Sequence, residues 1–157
     1  MILYHGSDTE IEVIDLTRCN PNKDFGQGFY LTEHLPDAEN IARQRSVRSQ
    51  KLPVINRYEF DERMLESDSL RVKHFGEYSL EWAEFVFKNR RGDIADRYDI
   101  VYGPIADDRI GAQITRYNEG YIDANEFLAR IKYIKGITFQ YYFGTEAAIA
   151  HLKKIQL

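Results

Sequence analysis

Three polar side chains and two glycine-bearing turns carry the chemistry legible in this chain. His5 ends the run Ile2-Leu3-Tyr4-His5 and is followed by the turn Gly6-Ser7-Asp8. Tyr30 closes Asp24-Phe25-Gly26-Gln27-Gly28-Phe29-Tyr30, and Gln140 is the only amide in Thr138-Phe139-Gln140-Tyr141-Tyr142-Phe143. Glycines at alternate positions let a backbone approach a ligand closely or take positive φ. Beside them, Phe29 and Tyr30 make a flat apolar wall, a combination that suits a planar ring held against main chain. Taken singly, each residue has a plainer explanation: a hydrogen-bonded structural histidine, a core tyrosine, a glutamine bonded to a loop. Metal chemistry has no support, because the lone Cys19 excludes multi-cysteine zinc and no H-x-E or H-x-x-x-H spacing occurs.

These residues need elements to hold them. The chain has 157 residues, enough for one domain with a proper core, and its 43% hydrophobic and 29% charged residues are ordinary for a globular protein. A net charge of −4 argues against a basic nucleic-acid coat. The N-terminus lacks a basic-then-apolar leader and no run is long enough to span a bilayer, so a cytoplasmic location without membrane attachment is expected. Strands are predicted at 2–5, 29–32, 54–60, 69–72, 98–102 and 138–143, and helices at 36–48, 80–89, 108–118 and from Asp123. A last short helix after Gly144-Thr145 contains Ala148, Ile149 and Leu152. Gly136 is expected to end the helix before it, and Asp123 with Glu126 resembles a capping box. Asp107 and Asp108 either cap the 108–118 helix or act in catalysis. Arg43, Arg45, Arg48 and Lys51 either compensate a helix dipole on a solvated face or face a phosphate. Helices and strands are interspersed without a steady βαβ rhythm, which predicts an α+β fold.

The pair Tyr4-His5-Gly6-Ser7 and Phe25-Gly26-Gln27-Gly28-Phe29-Tyr30 resembles the ADP-ribosyltransferase superfamily. Within it, the likeness is to the His-Tyr-Glu branch of diphtheria-toxin-like and poly(ADP-ribose) polymerase enzymes. Small bacterial stand-alone domains of this kind look similar along the whole chain, including the segments Gly103 to Asp108 and Gln140 to Ala147. The resemblance implies one ADP-ribosyltransferase-like domain over 1–157, with a split β-sheet core and flanking helices. NAD is then the co-substrate and no metal is needed. His5 bonds the adenosine-side ribose, Gly6 offers its backbone to the nicotinamide amide, and Tyr30 packs on the nicotinamide ring. Ser7, Phe25, Gly26, Gly28, Phe29 and Asp107 complete the NAD-binding set. Gln140 stands where the branch has a Glu that bonds the nicotinamide ribose.

The departures from that pattern shape the functional expectation. Ala38 and Ile41 stand where the polymerases carry a Ser and a second stacking Tyr. Gln140 lacks the negative charge of Glu, which disfavours polymer synthesis and leaves single transfer, with Asp107, Asp108 and Glu146 as other candidates for the third-motif role. The expectation is a mono-ADP-ribosyltransferase acting on RNA, DNA or protein, of the toxin or defence kind, with a small antitoxin-like protein as partner. The alternatives are an NAD glycohydrolase and a non-catalytic NAD/ADP-ribose-binding module.

Overall fold

The computed structural model describes residues 1–93, 97–132 and 134–156 of the chain. Its seven strands and five α-helices form an α+β fold with two sheets. The strands are β1 (Ile2–Ser7), β2 (Phe29–Leu31), β3 (Val54–Phe60), β4 (Val72–His74), β5 (Ile100–Pro104), β6 (Phe139–Phe143) and β7 (Leu152–Lys154). The helices are α1 (Leu35–Ser49), α2 (Leu80–Arg91), α3 (Asp108–Asn118), α4 (Ala124–Lys132) and α5 (Glu146–Ile149).

One sheet has the order β1-β3-β7 and is antiparallel throughout. The other has the order β2-β6-β5-β4, antiparallel except for the parallel pair β4–β5. Alternation along the strands sorts their side chains between two cores. Leu3, Tyr58 and Phe60 of the first sheet meet Phe29, Leu31, Ile100, Tyr141 and Phe143 of the second in an apolar layer. The opposite face of the second sheet carries Val101 and Tyr142, packed against Trp82, Val86, Ile110, Ile114, Phe127 and Ile131 from α2, α3 and α4. Trp82 sits at 0% exposure and donates its indole N–H to the Pro104 carbonyl at 2.9 Å. A buried polar handle satisfied in this way fixes α2 against β5.

Helix α1 packs on β1 through small residues. A Cβ on Gly6 would lie 2.0 Å from the Ala38 carbonyl oxygen and 2.9 Å from the Ala42 nitrogen. Both alanines are fully buried. Backbone meets backbone here, which only glycine permits.

Several predicted elements shift. The short strand expected at 69–72 lies at Val72–His74, where pairing with β5 fixes it. Leu152, expected in the last helix, belongs instead to β7, which pairs with β3 from Tyr58 to Phe60. Gly136 has φ of 77° but lies beyond α4, whose last residue is Lys132. Asp123 accepts from the Glu126 amide at 2.8 Å, but the Glu126 carboxylate turns to Arg130 at 2.8 Å, so the capping box is half formed.

Candidate functional site

Beside His5 a backbone bridge joins the two sheets. The backbones of Tyr4 and Thr32 exchange hydrogen bonds of 2.8 and 2.9 Å. This bridge joins β1 to the residue after β2, where the chain leaves its pairing with β6. His5 sits next to it, with Nδ1 2.7 Å from the Tyr30 carbonyl oxygen. A carbonyl only accepts, so Nδ1 carries the proton and Nε2 is left with a lone pair. Arg45 approaches that lone pair, its Nη1 standing 3.2 Å from Nε2. The imidazole stacks on Phe29 with ring centroids 4.3 Å apart. Burial lowers the His5 pKa to about 4; the Tyr30 carbonyl opposes that shift and the Arg45 charge adds to it. At neutral pH His5 is therefore an uncharged acceptor at Nε2.

Tyr30 spends its hydroxyl on the turn that precedes it. The hydroxyl donates to the Gly26 carbonyl at 2.7 Å and accepts from the Phe25 amide at 2.9 Å. Burial above all pushes its pKa far above the ordinary tyrosine range, so it does not ionise. What Tyr30 has left to offer a ligand is its ring. Gly26 turns the loop at φ of 108°, and a Cβ on Gly28 would fall 2.2 Å from the Tyr142 ring. At the head of the turn Asp24 accepts from Arg90 Nε at 2.8 Å and from the Ala106 amide at 3.0 Å. The glycine-aromatic turn is thus tied down at both ends. Asp24 and Arg90 are functional supports that the sequence did not reveal, being 66 residues apart with no local signal.

His5, Gly6, Ser7, Gly28, Phe29, Tyr30 and Gln140 all line one cleft of about 1110 Å³. This brings together side chains from β1, β2 and β6. Tyr30 pairs with Tyr142 across the β2–β6 ladder, and Gln140 lies two residues further along the same face. Its side chain makes no hydrogen bond among the described residues, so its amide is available. Phe25 and Gly26 stand outside the lining, Phe25 stacked behind Tyr30 at 6.2 Å. Asp107 is also outside it and caps α3, accepting from the Arg109 and Ile110 amides at 3.0 and 3.1 Å. Asp108 lies in the first turn of α3 and Glu146 in that of α5, and neither lines the cleft.

The opposite wall is a helix face. Ile41, Gln44, Arg45 and Arg48 of α1 line the cleft, and their spacing puts them on one helical stripe. The basic run therefore divides. Arg43 turns away to Asn40, while Arg45 and Arg48 face inward. The stripe spacing of 41, 44, 45 and 48 was the available signal for this, but it needed the position of α1 on β1 to become a site. The segment between β1 and the turn closes the outer side. Asn56, buried and opposite His5 in the ladder, holds it by accepting from the Ile11 amide at 2.8 Å and donating to the Thr9 carbonyl at 3.1 Å. Among the described residues no cluster of metal-ligating side chains occurs, and no helix is long and apolar enough to cross a membrane.

The chain belongs to the family described as protein of unknown function (DUF3990), whose model matches residues 1–154. No curated protein and no solved structure matches it.

Proposed function

We propose that this protein is an NAD-dependent mono-ADP-ribosyltransferase with an ADP-ribosyltransferase-like split-sheet core. The observation that carries the reading is that His5, Tyr30 and Gln140, drawn from three strands, line one cleft at the junction of two sheets. That cleft is of the size small-molecule sites use. In the reaction the bond between nicotinamide and ribose C1′ breaks, and its electron pair leaves with nicotinamide, whose ring becomes neutral. The acceptor's nucleophile gives a pair to C1′ and releases a proton. Positive charge builds on the ribose on the way, as in glycoside chemistry.

The residues suit that task by position rather than by acid–base power. His5 Nε2 accepts from a ribose hydroxyl, its tautomer held by the Tyr30 carbonyl. The Tyr30 ring offers a face to nicotinamide, and its tied hydroxyl keeps that face still. Gln140 offers an amide oxygen to the second ribose and no charge. Single transfer to RNA, DNA or protein follows more naturally than chain growth. We place the protein in the cytoplasm as a toxin or defence effector, with a small antitoxin-like partner.

A second reading is a non-catalytic NAD/ADP-ribose-binding module, favoured by the amide at position 140. Both are tested by incubating NAD labelled in its adenylate phosphate with separate RNA, DNA and protein pools. Label entering one pool, and lost in His5→Ala and Tyr30→Ala, supports transfer. Free ADP-ribose forming equally with and without a pool indicates hydrolysis. Bound but unreacted NAD leaves the binding module.

A further inference from the structure

The contact between Arg45 and His5 is an unusual way to use an arginine. Its guanidinium donates to a neutral nitrogen at 3.2 Å, and no carboxylate pairs with it among the described residues. Arg48, one turn further along α1, lines the same cleft and has no hydrogen-bond or ion-pair partner among the described residues. Gln44 completes the stripe. Guanidinium groups one turn apart, without a carboxylate partner among the described residues, match the spread of phosphate oxygens, which they bind with charge-assisted, often bidentate hydrogen bonds. A phosphate therefore outcompetes the His5 lone pair for Arg45.

We propose that Arg45 and Arg48 form a phosphate subsite and that Arg45 doubles as a latch over His5, released by a ligand carrying a phosphate beside a ribose hydroxyl. When phosphate draws Arg45 away, Nε2 is freed for the hydroxyl. The two events need one ligand with both groups. A nucleoside alone must displace Arg45 without giving it an anion in return. Inorganic phosphate alone leaves Nε2 without a donor. The cleft thus selects ribose phosphates over ribosides by exchanging partners on a single histidine. This rests on the functional reading only in placing a ribose at His5; it requires no turnover.

The test is calorimetric titration of ADP-ribose and of adenosine into wild type, Arg45→Ala and Arg48→Ala, with melting curves confirming that each variant is folded. The expected result for Arg45→Ala is ADP-ribose binding weakened roughly tenfold or more, the loss of one charge-assisted contact, with adenosine binding unchanged or tighter. Arg48→Ala weakens ADP-ribose alone. Added salt weakens ADP-ribose binding to wild type and hardly affects adenosine. The proposal is overturned if both ligands weaken together in Arg45→Ala, if ADP-ribose does not weaken, or if wild type binds neither. Transfer activity without the split removes the latch and keeps the enzyme; the split without transfer does the reverse.

Discussion

The strand wall and the helix wall of the cleft are built on opposite principles. On the strand wall His5 Nδ1, Tyr30 and Asp24 spend their polar groups on the protein itself, while the Gln140 amide stays available. His5 Nδ1 holds the Tyr30 carbonyl, the Tyr30 hydroxyl holds Gly26 and Phe25, and Asp24 holds Arg90 and Ala106. On the helix wall, Arg45 makes one long contact to a neutral nitrogen and Arg48 lines the cleft while exposed. The first wall provides shape fixed in advance, which lowers the entropy cost of binding. The second provides charge that a ligand completes. Damage to the strand wall should therefore cost stability, and damage to the helix wall should cost binding alone.

Gly6→Ala tests the difference at its sharpest. The added Cβ would fall 2.0 Å from the Ala38 carbonyl oxygen, a backbone atom that cannot swing aside. Helix α1 must lift from β1, exposing the fully buried Ala38 and Ala42. The expected cost is more than about 3 kcal/mol, at or beyond the upper end for overpacking, read as a large fall in the denaturation midpoint. A loss below about 1 kcal/mol would show that the close packing of α1 is not what holds the helix wall in place.

The next largest effect is a pH dependence. The native pKa of His5, about 4, lies below the ordinary 6.5. Between those values the unfolded chain binds the proton and the native state does not, so stability rises with pH across that window. Above about pH 6.5 the contribution is fully relieved. Acidification from there to about pH 4 removes on the order of 2–3 kcal/mol. The check is an NMR titration of the His5 ring together with chemical melts across pH 4 to 7. A His5 midpoint near its ordinary value would mean that the imidazole is open to water and the strand wall is not closed around it.

Tyr30→Phe is smaller and more local. It leaves the buried Phe25 amide and Gly26 carbonyl without the hydroxyl that satisfied both. A loss of about 1–3 kcal/mol is expected, with faster hydrogen exchange at the Phe25 amide. Unchanged exchange there would mean that the Tyr30 hydroxyl does not fix the turn.

The same contrast explains what the sequence made legible. The strand wall is local: Tyr4 to Ser7 and Asp24 to Thr32 bring their glycines and aromatics within a few residues of one another, so type and spacing could be read together. The helices expected at 80–89 and 108–118 and the strand at 54–60 announce themselves by period, and in the structure Ser79 and Asp107 each accept from first-turn amides. Strand β7 did not, because Leu152-Lys153-Lys154 is too short for a period and becomes a strand only through its pairing with β3. The Asp24–Arg90 pair spans 66 residues and has no local signature. Arg45 was visible as one cation in a run of four. Its contact with His5 depends on how closely Gly6 lets α1 approach, which is a fact of packing.

The smallest stability effect belongs to Arg48→Ala and is the most direct probe of the helix wall. Arg48 is exposed, and it lies in the last turn of α1, where its charge meets the negative end of the helix dipole. Removing it forfeits that modest interaction, while alanine restores helix propensity. The two nearly cancel, so stability should stay within about 0.5 kcal/mol of wild type, the usual range for a surface change. Were Arg48 part of the rigid frame, the loss would approach that of Tyr30→Phe and the two walls would not differ in kind. Equal melting curves for Arg48→Ala and wild type, beside a clear deficit for Tyr30→Phe, would locate the preformed part of the site on the strands and the ligand-completed part on α1.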